Sequence, residues 1–384
     1  MPKKICMVFG TRPEAIKMAP VIKELQKAGD CFSLRVVVTA QHREMLDQVL
    51  DLFGIRADYD LNIMQPGQSL PDLACRILSR LTPVFARERP DLVMVHGDTA
   101  TTFLGALAAF YLQIPVAHVE AGLRTYRPYS PFPEEMNRRL TGALAAYHFA
   151  PTRTAAENLL AERVPPAAIM VTGNTVIDAL LDVAARPDLK IPRAVADIPA
   201  GEKVILVTTH RRENLGEPLR RIYSALRLLL ADFPGLWVVF PVHRNPLVRK
   251  AAKEILGDLS RVRLLPPLEY GSFVALMRRA DLVLTDSGGI QEEAPALGKP
   301  VLVLRDTTER PEAVRAGTVR LVGLDEEKIR AEVRRLLLDE AAYREMAQAV
   351  NPYGDGRAAE RICAFLQWIY GYRAEKPEEF RADH

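Results

Sequence analysis

Short apolar runs alternate with helix-length stretches along almost the whole chain, and this alternation constrains the fold more than any other feature. In the first half the runs are Ile5–Phe9, Leu34–Thr39, Leu92–His96 and Val116–Val119. A stretch such as AIKMAPVIKELQKAG puts Ile16, Ala19, Pro20, Val21, Ile22 and Leu25 at helical spacing between them. Strand, helix and strand in repetition predict a parallel sheet with helices on both faces. After Lys203 a second series begins: Val204–Thr208, Trp237–Phe240, Val262–Leu265, Leu282–Thr285, Val301–Leu304 and Val319–Val322. The proline-bearing stretch 151–199 separates the two series, and a domain boundary is expected near Gly173. The organisation read from the sequence is therefore an α/β domain over 1–172, a second over 173–356, and a C-terminal helix and tail over 357–384 packing back on the first. In that helix Ile362, Phe365, Leu366 and Ile369 form one apolar stripe, while the polar tail RAEKPEEFRADH is expected to fray. Two doubly wound sheets suit a 384-residue chain, which is too long for one ordinary core. Ligands in such sheets bind outside the carboxyl ends of the strands.

Charge narrows the partners. The 51 Lys and Arg are interleaved with 48 Asp and Glu, giving a net charge of +3 with no basic arm. Nucleic-acid and membrane-surface roles are not expected. No apolar stretch reaches the ~20 residues that span a bilayer, and even LVMVHGDTATTFLGALAAFY is interrupted by His96 and Asp98. The apolar run after the basic N-terminus is too short for a signal peptide, so a cytoplasmic protein is expected. Cys6, Cys31, Cys75 and Cys363 are scattered without a C-x-x-C, which predicts reduced, buried thiols.

Polar clusters interrupt the apolar runs at strand ends, where sites are built. FGTRPEAIKMAP follows the first run with Arg12, Glu14 and Lys17, yet it has neither G-x-G-x-x-G nor G-K-[ST]. HGDTATT places Asp98 after a strand, where it serves equally as an N-cap or as a functional carboxylate. HVEAGLRT ends the next strand on Glu120. PFPEEMNRR sets Glu134 one helical turn from Arg138, the spacing of a surface ion pair. Three carboxylates gathered at one sheet edge can divide acid and base work.

The second half carries a different chemistry. THRRENLG and PVHRNP place His210-Arg211 and His243-Arg244-Asn245 after consecutive strands, a pattern suited to an anion and not to a zinc site. TDSGGIQEEAPALGKP ends a strand in Asp286-Ser287-Gly288-Gly289 and opens a helix. Two glycines there remove the Cβ atoms that would keep a phosphate from the backbone N–H groups and the helix dipole. Glu293, one turn on, suits the hydroxyls of a ribose, and Arg310 lies in a loop that can close on a diphosphate. A hydrolase serine is disfavoured because no G-x-S-x-G elbow surrounds Ser287.

Together these strings resemble the non-hydrolysing UDP-N-acetylglucosamine 2-epimerases, in order over about residues 4–360. The resemblance implies a glycosyltransferase-B-type architecture, two Rossmann-like domains facing across a cleft that holds the active site. It also implies a homodimer with no metal or other cofactor, and reversible conversion of UDP-GlcNAc to UDP-ManNAc for cell-surface polysaccharide precursors. The route it implies is elimination of UDP across C1–C2 to 2-acetamidoglucal, then re-addition. By the same resemblance Asp98, Glu120 and Glu134 are the acid/base carboxylates, with no order among them, and His210, Arg12 and Lys17 meet the diphosphate. Ser287, Gly288 and Gly289 cradle phosphate, Glu293 holds the ribose, Arg310 contacts diphosphate or sugar, and His243 and Asn245 line the substrate. Phe273 is expected against the uracil, although a core Phe on a helix reads identically in the sequence.

Many bacterial members of that family bind UDP-GlcNAc a second time, as an activator. Gln41, His42, Gln68 and Arg211 are the candidates here, but Glu44 stands where relatives often have Gln and Gly67 where they have a basic residue. The resemblance therefore leaves activation open. The rival functions are a hydrolysing epimerase releasing UDP and N-acetylmannosamine, a nucleotide-sugar glycosyltransferase, and a non-catalytic nucleotide-sugar sensor.

Overall fold

The structure, a computed structural model, describes residues 1–40, 43–65 and 67–382. The chain forms two compact units: Met1–Ala179 joined by the returning Tyr353–Arg381, and Leu180–Pro352.

The first unit contains β1 (Lys3–Phe9), α1 (Arg12–Lys27), β2 (Phe32–Val38), α2 (Arg43–Phe53), β3 (Tyr59–Asp60) and α3 (Leu70–Glu88). It continues with β4 (Leu92–His96), α4 (Ala100–Tyr111), β5 (Val116–Val119), α5 (Glu134–Leu144), β6 (Tyr147–Ala150), α6 (Arg153–Ala161), β7 (Ile169–Val171) and α7 (Thr175–Ala184). The strands form one parallel sheet in the order β3-β2-β1-β4-β5-β6-β7. Central β1 shows why this is the stable answer. Its residues Ile5 to Phe9 have no exposed surface, as expected for a strand covered by helices on both faces. Each such side chain adds ~1.5–3 kcal/mol of apolar burial.

The second unit repeats the plan with β8 (Lys203–Thr208), α8 (Glu217–Asp232), β9 (Leu236–Pro241), α9 (Pro246–Leu256), β10 (Val262–Leu265) and α10 (Tyr270–Arg279). After these come β11 (Leu282–Thr285), α11 (Gly288–Ala296), β12 (Val301–Val303), α12 (Pro311–Arg315), β13 (Val319–Leu321), α13 (Glu326–Leu338) and α14 (Glu340–Ala347). Its parallel sheet runs β10-β9-β8-β11-β12-β13. Both sheets reverse their winding direction at one point, between β1 and β4 and between β8 and β11, where α/β sheets open a crevice for ligands.

The final helix, α15 (Ala358–Ile369), belongs to the first unit. Phe365 meets Phe149 edge-on at 5.5 Å and Tyr147 at 6.0 Å. The boundary expected near Gly173 differs from the division observed inside α7. The reason is that the Asn174 N–H donates to Tyr353 O at 2.6 Å and the Ala359 N–H to Asp178 Oδ1 at 2.8 Å. The described part of the tail, to residue 382, is not frayed as expected. Phe380 is buried, its N–H donates to Val171 O at 2.8 Å, and the Arg361 guanidinium lies over its ring at 5.4 Å. All four cysteines are free, but Cys75 is exposed and only Cys6 and Cys363 are buried. Among the described residues no helix is long and apolar enough to cross a membrane.

Candidate active site

In the first unit the loops after β1, β4 and β5 and the start of α5 bring the sequence-selected carboxylates together. Glu14 organises the first two loops. It is buried, and its carboxylate accepts from the N–H groups of Gly10 (3.1 Å) and Thr11 (2.8 Å) and from the hydroxyls of Thr99 (2.8 Å) and Thr102 (3.2 Å). A Glu at the third helical position with Pro in the first turn is a helix-start signature. Here it also ties the helix bearing Arg12 and Lys17 to the loop bearing Asp98.

Glu120 follows β5 with a φ of 62°, a conformation rare outside glycine and concentrated at functional sites. Its Oε2 contacts Lys17 Nζ, accepts from Asn174 Nδ2 at 2.9 Å and lies 3.8 Å from His96 Nε2. Burial pushes the His96 imidazole down to about 4, so a neutral ring stands beside Glu120 at neutral pH. Two residues on, Gly122 also has positive φ, and a Cβ there would meet Ala155 O at 2.2 Å.

Asp98 is held from α5. Arg138 Nη2 donates to its Oδ2 at 2.7 Å and Asn137 Nδ2 to its backbone oxygen at 2.9 Å. Burial, reinforced by the charges of Glu120 and Glu134, keeps the Asp98 carboxyl above its usual range despite Arg138 and Lys17. Perturbed carboxyls of this kind mark candidate proton carriers. Glu134 and Arg138 do not form the helical ion pair their spacing allows. Arg138 is spent on Asp98 and, at 3.6 Å, on the buried Glu135. Glu134 is half-buried in the first turn of α5 and is felt electrostatically at Asp98.

The other residues expected to meet the nucleotide, apart from Arg12 and Lys17, lie in the second unit. Ser287 caps α11 with extended backbone and makes no side-chain cap hydrogen bond. Gly288 and Gly289 begin the helix, whose first N–H groups lack intrahelical acceptors. A Cβ on Gly288 would stand 3.1 Å from Arg310 Cζ, so glycine lets this guanidinium lie close to the helix start. Arg310 Nε donates to Glu292 Oε1 at 2.8 Å. Glu293 is buried, and Tyr270 Oη donates to its Oε1 at 2.9 Å. Phe273 is half-buried on α10, the helix that carries Tyr270.

His210 is 40% exposed after β8, with Nδ1 3.0 Å from Asp286 Oδ1. His243 follows β9 with its ring centroid 5.9 Å from that of His210. Asn245 has a local task, because its Oδ1 accepts from Leu247 N at 2.9 Å and caps α9. Arg211 folds back on its own unit, donating from Nε to Asp286 O at 3.3 Å and approaching Glu309 at 3.9 Å. Gln68 bonds locally to Gln65 N at 3.2 Å. Gln41 and His42 lie outside the described residues.

Asn174 and Tyr270 escaped the sequence reading. Asn174 follows β7 as Asp98 follows β4, so the signal existed, but that short strand was hidden in the proline-bearing stretch. Tyr270 carried no signal, since a Tyr on a helix reads as core.

The family model of UDP-N-acetylglucosamine 2-epimerase matches residues 23–367. The chain is 55% identical to the UDP-N-acetylglucosamine 2-epimerase of Bacillus subtilis (strain 168), covering 98% of this chain and 98% of that one. It is 57% identical to the Escherichia coli (strain K12) enzyme of the same name, covering 95% and 98%. The crystal structure of UDP-GlcNAc 2-epimerase from Neisseria meningitidis bound to UDP-GlcNAc superposes with a TM-score of 0.84 at 54% identity, covering 94% of this chain and 98% of that one. The shared fold is the glycosyltransferase-B-type α/β class expected from the sequence. On likeness of this extent, the chain belongs to the UDP-N-acetylglucosamine 2-epimerase family.

Proposed function

We propose that this chain interconverts UDP-N-acetylglucosamine and UDP-N-acetylmannosamine without net hydrolysis. The observation that carries the reading is the pairing of Glu120 with Lys17 and of Asp98 with Arg138, with Glu134 and Glu120 felt at Asp98, whose carboxyl is held above its usual range. A relative binds UDP-GlcNAc, and family membership extends that substrate to this chain. The hydrogen on C2 is not adjacent to a carbonyl, so direct deprotonation is difficult. Elimination avoids that difficulty. One carboxylate takes the C2 proton, the C1–O bond breaks toward UDP, and 2-acetamidoglucal forms. A proton then returns to the opposite face of C2, and a UDP oxygen re-attacks C1.

Positive charge must meet the departing diphosphate. In this reading Arg12, Lys17, His210 and Arg310 supply it, while Ser287, Gly288 and Gly289 hold phosphate and Glu293 holds the ribose. Phe273 packs on the uracil, and His243 lines the nucleotide beside His210. A homodimeric, cytoplasmic enzyme feeding polysaccharide precursor synthesis completes the proposal.

Turnover in deuterated water tests it. Deuterium at C2 of both UDP-sugars is expected, with no free sugar. Free N-acetylmannosamine with stoichiometric UDP overturns the non-hydrolysing assignment, and absence of deuterium overturns the epimerase chemistry.

A further inference from the structure

Asp286 has no exposed surface and directly follows β11, beside the loop that follows β8. Among the described residues, every polar contact of its carboxylate is with a nitrogen. The His210 N–H reaches both oxygens, at 3.1 and 3.0 Å. The Arg211 N–H and Asn214 Nδ2 reach Oδ2, each at 3.0 Å. His210 Nδ1 completes the set, 3.0 Å from Oδ1. Burial opposes ionisation, yet the His210 ring and the backbone donors outweigh it and hold the carboxyl below its usual range. An ionised carboxylate accepts and never donates, so the imidazole Nδ1 must carry the proton it shares with Asp286. The tautomer and the plane of the ring are fixed together, and Nε2 is left for the ligand.

We propose that Asp286 is the positioning residue for His210, holding the ring as the Nδ1–H tautomer and stabilising its positively charged form beside the departing diphosphate. The proposal rests on the role given above to His210. The charged ring donates a hydrogen bond from Nε2 to a diphosphate oxygen as the C1–O bond breaks, and the buried carboxylate is the counter-charge that keeps it in place. The contacts show why aspartate is needed. His210 N, Arg211 N and Asn214 Nδ2 all point donors at one spot, and an amide there would turn its own donor toward them.

The test is a double-mutant cycle joined to nitrogen NMR of the unmodified enzyme labelled at histidine. In the unmodified enzyme, neutral His210 is expected as the Nδ1–H tautomer. Asp286→Asn is expected to lower kcat ~10–100-fold, short of the ~100–1000-fold for deleting a transition-state donor outright, with KM moved less than about 3-fold. In a His210→Asn background the same change is expected to cost less than about 3-fold, because its effect passes through the ring. A wild-type Nε2–H tautomer overturns the proposal even where Asp286→Asn fails to fold. Multiplicative losses in the cycle overturn it while leaving the role of His210 intact. A His210→Asn enzyme with full turnover overturns both.

Discussion

Arg138 reaches from α5 to Asp98 Oδ2 at 2.7 Å, although Glu134 stands one helical turn before it on the same helix. The arginine therefore opposes the burial that raises the Asp98 carboxyl. Arg138→Gln should move the limb of the pH–rate profile that belongs to Asp98 to higher pH: the acidic limb if Asp98 works ionised, the alkaline limb if it works protonated. Losing a hydrogen bond to a charged group costs about 1.5–3 kcal/mol, so kcat/KM should fall ~10–100-fold. A profile with both limbs unmoved detaches Arg138 from Asp98.

The proposed chemistry needs all three carboxylates. Asp98→Asn, Glu120→Gln and Glu134→Gln should each lower turnover at least ~100-fold, the scale of a lost acid or base. UDP affinity, measured by calorimetry, should change little, because the groups proposed to hold phosphate and ribose are untouched. Near-normal turnover in all three variants rules the assignment out.

Much of this arrangement was legible because strand ends are legible. Asp98, Glu120 and His210 each follow an apolar run that is a strand, and topology brings the first two to one edge of the first sheet and the third to the corresponding edge of the second. What stayed hidden was choice among partners. The sequence offers Arg138 to Glu134 at i,i+4, but only the fold shows that Asp98, forty positions away, takes it instead. Glu14 illustrates the same limit. In the sequence it is one charged residue of the loop after the first run, yet it is a buried acceptor for two loops, since Thr99 and Thr102 come near it only through the pairing of β1 with β4. Phe380 in a polar tail gave no periodic signal, because a single buried ring has none.

Tyr270 and Glu293 give a graded test of the ribose assignment. Glu293→Ala should weaken UDP binding strongly. Tyr270→Phe removes the 2.9 Å hydrogen bond that aims the carboxylate. That loss is worth about 0.5–1.5 kcal/mol, so affinity should fall ~2–10-fold with turnover at saturating substrate nearly kept. Unchanged UDP affinity in Glu293→Ala removes the ribose role, and a Tyr270→Phe enzyme as weak as Glu293→Ala removes the grading.

Asp178 makes the stability of the first unit depend on pH. Its Oδ1 accepts from Ala359 N at the start of α15, while Oδ2 is buried without a hydrogen-bond partner. Burial pushes its carboxyl up from 3.8 to about 7, against the opposing hydrogen bonds from the Ala359 and Ala358 backbone. Between those values the folded state keeps a proton that the unfolded chain has released, so rising pH draws the equilibrium toward unfolding. The stabilisation is complete below the unfolded value and is lost as pH rises to about 7. Asp178→Asn cannot titrate, and its amide oxygen can still accept from Ala359. The variant should therefore gain on the unmodified protein between pH 5 and pH 8, read as a rise in its relative melting temperature. An equal difference at both pH values would mean that Asp178 ionises alike in the folded and unfolded chain, and the pH dependence would have to arise elsewhere.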